Sequence, residues 1–125
     1  MKPKNNTYTE EQLRELLLTD IPLEYERNID VGENEDLSID FIREFADKLS
    51  WHNISCWQNL SEKAIEEFKE NVDWWYISKK QNYSLSFIEK WREKLDWFWV
   101  TIRNRKDEKF MDKYKEVIIG DEFWK

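Results

Sequence analysis

The chain has 125 residues, of which 38% are charged and 16% aromatic, and its formal net charge is −7. Two Gly and two Pro are too few for the turns of a many-stranded β fold, whereas eight Trp concentrate the apolar area in a few large side chains suited to helix-on-helix burial. The expectation is one all-α domain with a modest core, and the acidic balance speaks against direct nucleic-acid binding, which needs the opposite sign.

In chain order the first predicted element is a helix in "TYTEEQLRELLL" (Thr7–Leu18). Thr9 and Gln12 make a capping-box pattern, and Leu13, Leu16 and Leu17 form its apolar stripe. Residues 1–36 are expected to form an N-terminal capping helix followed by an acidic connection. After Pro22, the alternation Leu23, Tyr25, Arg27, Ile29, Val31 reads either as one short strand or as an extended connection. "VIIGDEFW" at Val117–Trp124 is a possible partner in a small sheet, although two isolated strands are marginal. Gly32–Asp36 reads as a solvated loop. The acidity belongs to this part of the chain: residues 1–36 hold ten acids against four bases, and residues 37–105 hold eleven of each.

From Leu37 the chain repeats itself with a period of 23 residues and no gap. "LSIDFIREFADKLSWHNISCWQN" (Leu37–Asn59) is followed by "LSEKAIEEFKENVDWWYISKKQN" (Leu60–Asn82) and "YSLSFIEKWREKLDWFWVTIRNR" (Tyr83–Arg105). Residues 106–125 are a degenerate fourth copy, expected to act as a C-terminal cap. Each copy reads as two helices. Ser38, Ser61 and Ser84 are the N-caps of the first, followed at helical spacing by Phe41, Ile42, Phe45, Leu49 and their counterparts. Ser50, Asp73 and Asp96 are candidate N-caps of a shorter second helix. Its buried face would be Trp51, Ile54, Ser55, Gln58, then Trp74, Ile77, Ser78, Gln81, then Trp97, Val100, Thr101, Asn104. A two-helix unit of this length cannot close a core alone, so the copies are expected to stack as a small solenoid with the three tryptophans in the core. The small position at 55, 78 and 101 permits close helix approach, with its hydroxyl bonded back to the helix.

The repeat consensus, L-S-x-x-F-I-x-x-F-x-x-x-L-D-W-x-x-I-S-x-x-Q, resembles a tandem motif of uncharacterised bacteriophage and giant-virus proteins. "LSIDFIREF", "VDWWYIS" and "LSFIEKW" carry the likeness, which covers residues 37–105 well and 106–118 loosely. It implies a virus-related helical array and brings no catalytic residues. The chain departs from the pattern at Ala64, at Tyr83 and throughout residues 1–36.

Signs of chemistry are sparse. His52 and Cys56 lie four apart on one helical face, but zinc would need two further ligands and the chain has no other His or Cys. Clustered carboxylates such as Glu66, Glu67 and Glu70 alternate with lysines, as on a solvated helix face. With only Gly32 and Gly120, no glycine-rich phosphate loop is possible in its usual form. No enzymatic activity, cofactor or metal is expected. Nothing at the N-terminus resembles a signal peptide and no apolar run reaches membrane-span length. With Cys56 as the sole cysteine, these features predict a cytoplasmic, intracellular protein.

Around the fixed frame of Trp74, the neighbours Trp75 and Tyr76 fall where the third copy has Phe98 and Trp99, with Trp57 beside them. These five are the candidate partner-binding residues, because equivalent positions of stacked repeats line up as a ridge. The competing reading has them fill the seam between adjacent short helices, or between the array and the N-terminal cap, and the sequence leaves both readings open. The functional expectation is a module that binds another protein, viral or host, with inhibition of a host or defence protein as its analogical extension. The rival readings are an acidic nucleic-acid mimic and a self-assembling virus protein. Homo-oligomers are possible, and neither membrane nor direct nucleic-acid binding is expected.

Overall fold

The first helix of every copy carries a helix-start and a helix-stop signal, and the chain follows them. The structure, a computed structural model, describes residues 8–18 and 35–118. Among these residues it has eight helices and no strand: α1 (Glu10–Leu18), α2 (Ile39–Glu44), α3 (Trp51–Trp57), α4 (Glu62–Glu67), α5 (Trp74–Lys80), α6 (Leu85–Lys90), α7 (Trp97–Asn104) and α8 (Glu108–Lys113). The all-α class is thus observed. No helix of the described residues is long and apolar enough to cross a membrane.

The start signal is a side-chain oxygen accepting an orphan backbone N–H of the first turn. Ser38, Ser61 and Ser84 accept from Phe41, Ala64 and Phe87, three residues on, and Asp107 does the same for Phe110 in the fourth copy. Ser50 and Asp96 cap α3 and α7.

The stop signal is an aromatic residue at the C-cap of each first helix. Phe45, Phe68, Trp91 and Tyr114 all sit at φ between −104° and −109° and ψ between 18° and 27°. Each carbonyl then accepts two N–H groups, from residues three and four further on, as Phe45 does from Lys48 at 2.8 Å and Leu49 at 3.1 Å. The chain leaves the helix with negative φ, so the copies need no left-handed glycine. That is how four first helices can end in a chain with two Gly.

The chain divides into two compact units, residues 1–73 and 74–125. The first holds α1–α4. In α1 the capping box forms as read: the Thr9 hydroxyl accepts from the Gln12 N–H at 3.1 Å and the Gln12 side chain accepts from the Thr9 N–H at 2.9 Å. Leu13 and Leu17 are buried. Polar contacts seat α1 on the first copy. Glu10 accepts from the Ser38 N–H and hydroxyl, Arg14 makes a two-pronged pair with Glu44, and the Lys48 ammonium caps the Leu17 carbonyl at 2.8 Å. Arg43 bridges to Glu67 on α4 at 2.6 and 2.9 Å and also binds Asp40. These pairs are exposed and screened by solvent, so they orient the elements more than they stabilise them; the core of Phe41, Ile42, Ile54 and Ile65 contributes far more, at about 2–5 kcal/mol for each Ile truncated to Ala.

The second unit holds α5–α8, with Ile77, Phe87, Ile88, Val100, Phe110 and Tyr114 buried. Here the small hydroxyl position does more than turn back on its own helix. Ser78 donates to the Trp74 carbonyl at 2.7 Å, and its oxygen also accepts the backbone N–H of Asp96, at the start of the next copy's second helix, at 2.8 Å. The first unit repeats the link, Ser55 accepting from Asp73 N–H at 2.9 Å. Thr101 is fully buried too, and its hydroxyl has no hydrogen-bond partner among the described residues. Residue 119, its counterpart eighteen positions on, lies outside them.

Two expectations need correcting. Trp51, Trp74 and Trp97 are half-buried rather than core. Trp51 lies against Phe68 at 5.0 Å, Trp74 against Trp91 at 5.4 Å and Trp97 against Tyr114 at 5.3 Å, so each indole covers the C-cap aromatic of the following copy. The indole N–H groups of Trp51 and Trp97 donate to the carbonyls of Ala46 and Arg92 at the surface, which leaves a ring edge wet. The expected solvated loop at Gly32–Asp36 fails at its described end. Glu35 is buried, and its carboxylate accepts the Tyr8 N–H at 3.1 Å. The extended segment proposed at 23–31, most of its suggested partner at 117–124 and most of the acidic stretch 24–36 lie outside the described residues.

Candidate functional site

The second helices of the second unit present the aromatic residues singled out in the sequence. On α5, Ile77 and Ser78 face the core, which turns Trp75 toward solvent with 40% of its surface exposed. On α7, Val100 and Thr101 are buried, leaving Phe98 and Trp99 half-buried at the edge. The helices bring four of the five candidates into one edge-to-face chain. Tyr76 meets Trp75 at 4.8 Å, Trp75 meets Trp99 at 5.5 Å with ring planes 88° apart, and Trp99 meets Phe98 at 5.0 Å. Such pairs contribute about 0.5–1.5 kcal/mol each beyond burial, so the cluster is both seam filler and surface. The fifth candidate, Trp57, belongs to the first unit, where it is 50% exposed at the end of α3.

The sequence reading missed Lys79. One turn after Trp75, its ammonium lies 4.9 Å from the Trp75 ring centroid and 4.8 Å from that of Trp99. A cation on two indole faces is held by the negative quadrupole of each ring. The clue was present: Trp75 and Lys79 are four apart and therefore neighbours on a helix. Trp99 adds a buried indole N–H with no acceptor among the described residues.

Beside the cluster, Arg103 is fully engaged. Its guanidinium donates to the carbonyls of Ser78 at 2.9 Å and Gln81 at 2.6 Å, closing the C-terminal end of α5, and lies 4.7 Å over the Tyr83 ring. Tyr83 donates to the Ser78 carbonyl as well, and burial raises its hydroxyl above the usual tyrosine value of 10.0, with Arg103 acting in the opposite direction.

The other chemical candidates are placed as follows. His52 is exposed on α3 with Nδ1 3.9 Å from a carboxylate oxygen of Asp73, and Cys56 is half-buried and not in a disulfide. No group of three or more His, Cys, Asp or Glu among the described residues is arranged to hold a metal ion. A small hollow of about 130 Å³ lies in the first unit, lined by Leu37, Ile42, Gln58, Leu60 and Ala64 among others. No protein-family model matches the chain, and neither does any curated protein or solved structure.

Proposed function

We propose that this chain is a non-enzymatic binding module that engages another protein through the aromatic face of α5 and α7. The observation carrying the reading is Trp75: a large indole left 40% exposed, backed by Trp99, Tyr76 and Phe98 in a fixed geometry. Large, rigid amphipathic rings bury much area for little lost side-chain entropy, which is why Trp and Tyr dominate binding hot spots. In this reading the copies stack as a short solenoid with α1 and the degenerate fourth copy as caps. The hydroxyl links Ser55–Asp73 and Ser78–Asp96 supply the copy-to-copy register. The likeness of the repeat to phage and giant-virus proteins supports a viral origin and action inside the host cell, on a host or defence protein.

The test is affinity capture from host lysate with the full chain, its Trp75→Gln variant and its Trp57→Gln variant, helicity being checked for each. A protein retained by the native chain and by Trp57→Gln but lost by folded Trp75→Gln supports the reading. Equal capture by all three removes the α5–α7 face as the binding site.

A further inference from the structure

Among the described residues, the charge that Lys79 brings to the aromatic cluster is unanswered. A half-buried ammonium ordinarily collects carboxylate or carbonyl acceptors, because desolvation without a partner is costly. Among the described residues Lys79 has none; its contacts are the faces of Trp75 and Trp99. No acid lies on either helix: α5 carries Lys79 and Lys80, and α7 carries Arg103. Asp96, at the start of α7, has its carboxylate on the Phe98 N–H, and the Arg103 guanidinium is held by carbonyls. In a chain of net charge −7, the two helices bearing the exposed indole thus carry bases and no acid, and the carboxylate of Asp73, just before α5, lies 3.9 Å from His52 Nδ1.

We propose that the Trp75–Lys79–Trp99 cluster receives a carboxylate of the protein partner, carried next to an apolar group that lies on the Trp75 ring. The inference rests on the binding reading above and specifies the chemistry that the face selects. A cationic occupant is disfavoured because an ammonium already lies over both indoles. Stacked nucleobases are disfavoured because that ammonium covers a face of each ring. A carboxylate complements the charge while leaving the cation–π contacts in place, and the adjoining apolar group gains area against the exposed indole.

The experiment uses the full chain and follows its indole N–H signals by two-dimensional NMR, assigned with Trp75→Phe and Trp99→Phe. The probes are 3-phenylpropionate, its uncharged amide and an octathymidylate. The expected result is saturable movement of the Trp75 and Trp99 signals by the carboxylate. It should bind about fivefold tighter than the amide at low salt, the size expected of one exposed ion pair, and the preference should shrink as salt screens it. Lys79→Met should make the two small probes equal, whereas Lys79→Arg should keep the preference. Equal binding of acid and amide to the native chain, or a preference surviving in Lys79→Met, overturns the inference while leaving the face a binding site. Tighter binding of the octathymidylate than of the carboxylate overturns it in favour of a nucleic-acid partner. If no probe moves either signal, both this inference and the reading beneath it fail.

Discussion

Ser78, with a side chain of only two heavy atoms, joins two copies of the repeat. Its hydroxyl donates to the carbonyl four residues back and accepts the N–H eighteen residues ahead, at a site with no solvent access. Ser78→Ala leaves a buried donor and a buried acceptor without their partner, so it should cost about 1–3 kcal/mol in urea unfolding; a change within error would show that water replaces the hydroxyl. Ala64 is the reverse case. It stands where the other copies have Phe41, Phe87 and Phe110, and the hollow of about 130 Å³ beside it is of the order of the missing phenyl. Ala64→Phe should therefore be accepted and raise stability by about 1 kcal/mol, since the ring enters existing space. A drop of that size would mean that the neighbours have already closed in and the ring overpacks the site.

At the scale of the element, these helices exist because of their ends. Most have six to eight residues, too short to persist alone in water, so caps and packing hold them in place, the first helix of each copy between a side-chain N-cap and a C-cap aromatic. Ser61→Ala should destabilise by ~1 kcal/mol, read from the urea midpoint, and Ser61→Asp should restore most of the loss by offering the same acceptor. Failure of the aspartate to rescue would show that the Ser61 hydroxyl matters for something other than the Ala64 N–H. The starts of the first helices in the three full copies were legible to the residue because the serine cap and the apolar spacing recur every 23 positions; their ends were not, since that spacing runs on to Leu49 while the helix stops before Phe45. The half-burial of Trp51, Trp74 and Trp97 was not legible, because periodicity gives the inward face of a helix but not how far the following copy covers it.

At the scale of the molecule, stability should have an acid and an alkaline limb. Glu67 is held below its ordinary value of 4.5 chiefly by the Arg43 hydrogen bond, and Glu89 chiefly by the Tyr114 hydroxyl and then Lys113. The folded state binds these protons less tightly than the unfolded chain, so their stabilisation is complete above 4.5 and is lost as pH falls through the lowered values. Tyr83 and Tyr114 are raised above 10.0, both first by burial. Their contribution is complete below 10.0 and is lost as pH rises through the raised values. The midpoint of thermal unfolding should be level from about pH 5.5 to about 9 and fall on both sides. Arg43→Met should make the acid limb shallower, and an unchanged limb in that variant would refute the assignment to Glu67.

The sequence by itself determined the helical class, the 23-residue period, the caps of the first helices and the capping box of α1, because these depend on contacts within a few residues of each other. It also named Trp75, Tyr76, Phe98 and Trp99 together, since a repeat brings equivalent positions into neighbouring places. Only the tertiary structure decided that Ser55 and Ser78 accept an N–H from the next copy, that Glu35 turns inward to Tyr8, and that Lys79 lies over the Trp99 ring as well as that of Trp75. Each of those joins residues 18 to 27 positions apart, as in Ser78–Asp96, Lys79–Trp99 and Tyr8–Glu35. The distance and direction of such contacts are set by how the helices pack, which local spacing along the chain does not encode.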